Sequence, residues 1–156
     1  MKLDAVVLIT DKLEKMRAFY TGVLGQAVKM DFGNCIALEC GVSLWRLTEE
    51  YPIAKATGAT YFDTANKNME VCFETEDFIR ETAVVKQSGA KLLHDVQTET
   101  WGQQTIRFYD PDENLVELGE SIPCFCKRIA GSGKSAAQVS EITGIPISGV
   151  KAILGE

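Results

Sequence analysis

Glu70, Arg107 and Glu117 are the residues best placed to do chemistry. Each alternates with apolar neighbours in a β-rich segment: Val71 and Phe73 bracket Cys72, Ile106 and Phe108 bracket Arg107, and Val116 and Leu118 bracket Glu117. Successive side chains of a strand point to opposite faces. With the apolar set against a covering helix, Glu70, Cys72, Glu74, Thr105, Arg107, Tyr109, Leu115 and Glu117 share the other face. Two carboxylates held close raise each other's proton affinity unless a cation intervenes. Arg107 is a candidate for that cation, giving a Glu70–Arg107–Glu117 cluster as a polar floor. Alternatively one carboxyl stays protonated and serves as a general acid or base, which makes Glu117 and Glu70 the candidate catalytic residues. The plainer reading is a solvated Glu70 at a strand start and a local partner for Glu117.

Trp45, Trp101 and Tyr109 could form an aromatic wall for a flat or apolar ligand. Trp45 also reads as core, and Trp101 as a hairpin cap beside Gly102. Cys72 is a candidate ligand contact; no histidine is positioned by sequence to depress its pKa and make it a nucleophile. His94, the single histidine, reads as a surface or locally satisfied group beside Asp95. The five cysteines include no CxxC pair, so free thiols, mostly buried, are expected rather than a disulfide framework or zinc finger.

The elements that must position these residues follow from periodicity. Leu3–Ile9 reads as a strand, and Leu13, Met16, Phe19, Tyr20 and Val23 fall at helical spacing. Strands are expected near Ala27–Asp31, Cys35–Cys40 and Val42–Thr48, with turns at Gly33-Asn34 and Gly41. Glu49–Lys67 lacks periodicity and reads as a linker or loop. Strand Met69–Thr75, helix Glu76–Ser88 (apolar at Phe78, Ile79, Val84 and Val85) and strands Lys91–Thr98, Thr105–Tyr109 and Leu115–Leu118 then repeat the order. Strand–helix–three strands thus occurs twice at an offset of roughly 65 residues, which argues for a duplicated module. The fold class is α+β.

The stretches FYTGVLG (Phe19–Gly25) and WGQQTIRFYDPDENLVELG (Trp101–Gly119) resemble the two signatures of the vicinal oxygen chelate superfamily, which includes glyoxalase I, extradiol dioxygenases and bleomycin-resistance proteins. The chain departs from the pattern at Glu113, where the family has Gly. The resemblance implies a glyoxalase/bleomycin-resistance-like domain over residues 1–120, with modules at about 3–48 and 68–120. It implies two βαβββ modules forming a cupped, eight-stranded sheet around a cavity, usually completed by a homodimer. Metal-dependent members place two His and two Glu on four strands. The matching positions here are Asp4 or Ala5, Trp45 or Arg46, Glu70 and Glu117, so a metal, if bound, would use Glu70 and Glu117. Oxygen donors suit Mg or Mn, while Ni or Zn would lack imidazole. The expectation is therefore a binder of a small organic ligand, without the His-containing metal site and with no cofactor. The alternatives are a divalent-metal lyase or isomerase of the glyoxalase type, or a ligand-sensing regulatory module; a dioxygenase relative is a further form of an enzyme reading.

Residues 121–156 lie beyond that resemblance and read as a helical tail, helix-turn-helix-like in its SAAQVSEITGIPISGVKAIL string. Helices are expected at Cys124–Ile129, from Ser135 to about Thr143, and over Pro146–Leu154. The tail carries four bases (Lys127, Arg128, Lys134, Lys151) against two acids (Glu141, Glu156), while the 156-residue chain has net charge −6. That balance argues against nucleic acid as a partner. No apolar run approaches the ~18 residues of a membrane span, so a cytoplasmic protein is expected.

Overall fold

The computed structural model describes residues 4–58 and 69–156. The chain divides into two units, Met1–Met69 with Asp110–Asn114, and Glu70–Tyr109 with Leu115–Glu156.

The first unit begins with β1 (Val6–Ile9), followed by α1 (Leu13–Ala18). Thr10 closes the entry to α1 by accepting the Lys12 N–H at 2.8 Å. The helix widens into a π turn over Phe19–Val23, where Leu24 N–H donates to the Phe19 carbonyl. Leu13, Met16 and Tyr20 are fully buried, as their helical spacing requires. Strands β2 (Val28–Asp31), β3 (Cys35–Leu38) and β4 (Val42–Trp45) complete a sheet of order β1-β4-β3-β2, with β1 parallel to β4. Strand β3 ends at Leu38 rather than Cys40 because Gly41 N–H turns back onto the Leu38 carbonyl, and β4 ends at Trp45 rather than Thr48. The expected Glu49–Lys67 loop is corrected in part. Pro52–Thr57 is a helix, α2, begun by Pro at its first turn and closed by Gly58 in the left-handed conformation. Residues 59–68, and Leu3 of the expected first strand, lie outside the described residues. The Asp110–Asn114 turn belongs to this unit: Asp110 accepts the N–H groups of Asp112 and Asn114 and the Tyr20 hydroxyl. Glu113, where the family has Gly, stands at φ 64, a conformation that glycine adopts without steric cost.

The second unit repeats the order. Strand β5 (Glu70–Thr75) leads to α3 (Phe78–Gln87), then to β6 (Leu92–Thr98), β7 (Gln104–Tyr109) and β8 (Leu115–Glu120), in the order β5-β8-β7-β6 with β5 parallel to β8. Asp77 caps α3 by accepting from Arg80 N–H. Helix α3 buries Phe78, Thr82 and Val85, which puts Ile79, expected in the apolar stripe, 85% exposed on the outer side. Ile106, Phe108, Val116 and Leu118 form the buried face of the sheet.

Beyond β8 lie α4 (Ile122–Gly131), α5 (Ala136–Thr143) and α6 (Ile147–Leu154). They share a core of Phe125, Cys126, Ile129, Ala136, Val139 and Val150. Ser135 and Gln138 form a reciprocal capping box on α5, and Gly144 ends it in the left-handed conformation. All five cysteines are free, but only Cys126 is buried; Cys40 and Cys72 are exposed, against the expectation of mostly buried thiols. Among the described residues no helix is long and apolar enough to cross a membrane.

Candidate functional site

Strand register builds one row of side chains across the second sheet. His94 on β6 lies opposite Arg107 on β7, Arg107 opposite Glu117 on β8, and Glu117 opposite Cys72 on β5. Residues paired on neighbouring strands point to the same face, so all four stand on the side away from Ile106 and Leu118. The equivalent row of the first sheet is Met30, Ala37, Ser43 and Val7. Two sheets of matching topology thus carry a charged row in one module and an uncharged row in the other.

Arg107 is the centre. Its Nε donates to Glu70 Oε1 at 2.7 Å and its Nη1 to Glu99 Oε1 at 2.6 Å, while Nη2 pairs with Glu117 Oε2. Nη1 also approaches His94 Nε2 at 3.3 Å. His94 Nδ1 lies 2.7 Å from the Asp95 carbonyl, an acceptor, so the hydrogen is assigned to Nδ1 and the lone pair at Nε2 faces the guanidinium. Thr105 donates its hydroxyl to Glu99 at 2.8 Å. The Arg107 side chain is 17% exposed, and those of Glu70, Glu99 and Glu117 are 27%, 15% and 12% exposed.

These surroundings split the carboxylates. The hydrogen bonds from Arg107 and then Thr105 hold Glu99 below the usual glutamate range. Burial raises Glu117, and Glu70 and Glu99 add to the rise against the opposing pull of Arg107. Burial works against the charge on Arg107, but its hydrogen bonds to Glu99 and Glu70 outweigh it and strengthen its hold on the proton. The Cys72 thiol is pushed up to about 11 by desolvation, then by Glu70 and Glu117. It is protonated at neutral pH, which removes it as a nucleophile.

The structure therefore brings Glu70, Cys72, Arg107 and Glu117 together. The aromatic candidates each have a local partner. Trp45, in the first unit, packs edge-on against Tyr51 with ring centres 5.2 Å apart. Trp101 is 41% exposed and donates its indole N–H to Gln103. Tyr109 sits two residues beyond Arg107 on β7, with the Lys91 amino group 5.1 Å from its ring centre. Sequence reasoning does not find Glu99, and it sets His94 apart from the site. Glu99 lies past the end of β6, where strand alternation no longer applies, and β6 itself shifts register on both sides of His94. The one available signal is an acidic residue entering a short Gly-containing hairpin ahead of an inward Thr105.

A divalent metal does not fit this arrangement. The guanidinium already engages one oxygen from each of Glu70, Glu99 and Glu117, so these carboxylates converge on Arg107 and leave no set of three or more donors gathered on one point for a metal ion. His94 turns its lone pair to the same guanidinium. Among the described residues no group of three His, Cys, Asp or Glu is arranged to hold a metal, and Asp4 is exposed in the first unit.

A sequence model of the glyoxalase-like domain matches residues 3–123, and the chain belongs to that family, within the vicinal oxygen chelate superfamily. No curated protein matches the chain. Among solved structures it is similar to a protein of unknown function from Agrobacterium tumefaciens str. C58, at 26% identity and TM-score 0.67, over 78% of this chain and 95% of that one. It shares its fold with a lactoylglutathione lyase from Agrobacterium tumefaciens, at 21% identity and TM-score 0.58, over 77% and 93% of the two chains. It likewise shares its fold with a glyoxalase/bleomycin resistance protein/dioxygenase from Nocardioides, at 18% identity and TM-score 0.59, over 77% and 83%.

Proposed function

We propose that the protein binds a small organic ligand on the open face of the β5–β8 sheet, in the manner of the bleomycin-resistance branch of its family and without a catalytic metal. The observation that carries this reading is the Arg107 guanidinium bonded to Glu70, Glu99 and Glu117, where a metal-dependent relative would gather ligands. Carboxylates outnumber the guanidinium three to one in a half-buried setting, so the ligand best suited to it carries an amine or another cationic group. Glu117 and Glu70 are the residues to contact that group, with Cys72 alongside; Trp101 and Tyr109 would contribute apolar contact. A homodimer and a cytoplasmic location belong to the same proposal.

A panel of organic amines, carboxylates and neutral aromatics, screened by thermal shift and followed by calorimetry, tests it. Amines are expected to bind, and Glu117→Gln to weaken them by about tenfold through loss of a charge-assisted hydrogen bond. Parallel titrations use Mn, Ni and Zn. Tight, stoichiometric metal that Glu117→Gln abolishes would displace this reading in favour of the lyase or isomerase alternative.

A further inference from the structure

The hairpin between β6 and β7 delivers Glu99 to Arg107, and the C-terminal helices hold that hairpin. Within it, Glu99 N–H donates to the Gln103 carbonyl at 2.8 Å and Gly102 N–H to the Glu99 carbonyl at 2.9 Å. From α4, Arg128 reaches across: its Nη2 donates to the Gly102 carbonyl at 2.6 Å. Its Nε and Nη2 clasp both oxygens of Glu120 at 2.7 Å. Glu120, 5% exposed, in turn accepts the Gln104 N–H at 2.8 Å, and its carbonyl accepts the Gln103 amide at 2.7 Å. Apolar contact adds to the clasp. Gly102, at φ 88, lies so close to α4 and α5 that a Cβ there would stand 2.8 Å from Ile129 Cδ1 and 3.2 Å from Ile142 Cγ2.

We propose that Arg128 is a positioning residue for the sheet-face site: through Glu120 and the Gly102 carbonyl it fixes the 99–104 hairpin and so sets where Glu99 meets Arg107. The C-terminal helices, which lie outside the family match at 3–123 except for the start of α4, are thereby part of the site's support. This inference rests on reading the Arg107 cluster as the binding face, but its test does not need a ligand. Fixing a charged group by a bidentate fork lowers the freedom of everything hydrogen-bonded behind it. Releasing the fork lets Glu99 move off Arg107, and its carboxyl returns toward an ordinary titration.

The experiment is a pH titration of the Glu99 side-chain carboxyl by carbon-detected NMR on the full-length labelled protein. In the parent protein the midpoint is expected below the usual glutamate range, because Arg107 and then Thr105 donate to the carboxylate. Arg128→Ala and Arg128→Lys are both expected to raise it by about half a unit or more, the lysine variant because it keeps the charge but lacks the planar fork. Arg80→Ala, which removes an exposed cation on α3, is expected to leave it in place. An unchanged Glu99 midpoint in the Arg128 variants overturns the proposal. So does a shift in Arg128→Ala alone, since that would be the distant loss of charge. If Arg128→Ala does not fold, Arg128→Lys and Glu120→Gln take its place, Glu120→Gln keeping an acceptor for Gln104 N–H while losing the ion pair. A raised Glu99 midpoint in both then supports the positioning role, and an unchanged midpoint in either overturns it. Organic-amine binding that ignores Glu117→Gln while Glu99 still responds to Arg128 would sink the functional reading and leave the positioning role standing.

Discussion

Glu99 and Glu117 share one guanidinium and are pushed in opposite directions. Glu99 is lowered in the folded protein, so it contributes stability that is present above the unfolded value and is lost as pH falls through its lowered folded value. Glu117 is raised, so its ionisation costs stability at neutral pH, and that cost disappears as pH falls through its raised value. Replacing Glu99 with Gln is therefore expected to lower stability at pH 7 by about 1.5–3 kcal/mol, the typical worth of a hydrogen bond to a charged partner, and by less at pH 3. Urea melts at both pH values check this; equal losses at the two would show that the charge of Glu99 is immaterial. On the proposed reading, organic-amine binding is expected to follow Glu117 instead and to weaken on acidification before an ordinary glutamate would protonate, which calorimetry across pH checks. At this scale strand alternation is enough to put Glu70, Cys72, Arg107 and Glu117 on one face, because each stands between apolar residues that must be buried. The same logic has nothing to say about Glu99, whose place is decided by hairpin geometry and by Arg128, distant along the chain but hydrogen-bonded to the hairpin itself.

Among the elements, the helix ends are legible where a side chain announces them. Ser135 and Gly144 bound α5 in the structure, as their residue types require. The α2 helix nonetheless escapes a sequence reading, since six residues offer too short a window for periodicity. The exposure of Ile79 has the same root: several rotations of a short apolar set look alike until the sheet selects Phe78, Thr82 and Val85. The tail's helices are legible from spacing, but their hold on the β6–β7 hairpin is not, because Arg128 and Glu120 bear no local pattern. A chain ending at Ser121 would lose both the clasp on Glu120 and the apolar cover of Gly102. It is expected to melt at least about 5 °C lower, corresponding to roughly 2 kcal/mol in a chain of this size. Calorimetry on the shortened chain checks this, and an unchanged Tm would mean that the helices contribute nothing to the second unit.

For the whole molecule, the duplicated strand–helix–three-strand order is readable because both modules bury the same periodic apolar face, and the family match over 3–123 agrees with it. What duplication conceals is divergence. The row His94–Arg107–Glu117–Cys72 has Met30–Ala37–Ser43–Val7 as its counterpart, equivalent in strand order and empty of charge. A repeated architecture would ordinarily lead one to look for paired sites. Here the internal symmetry covers the backbone and the buried apolar face but not the charged row, so saturation by an organic amine is expected at a single equivalent per polypeptide, countable by calorimetry, and a second equivalent of like affinity would show that the uncharged copy also recognises it.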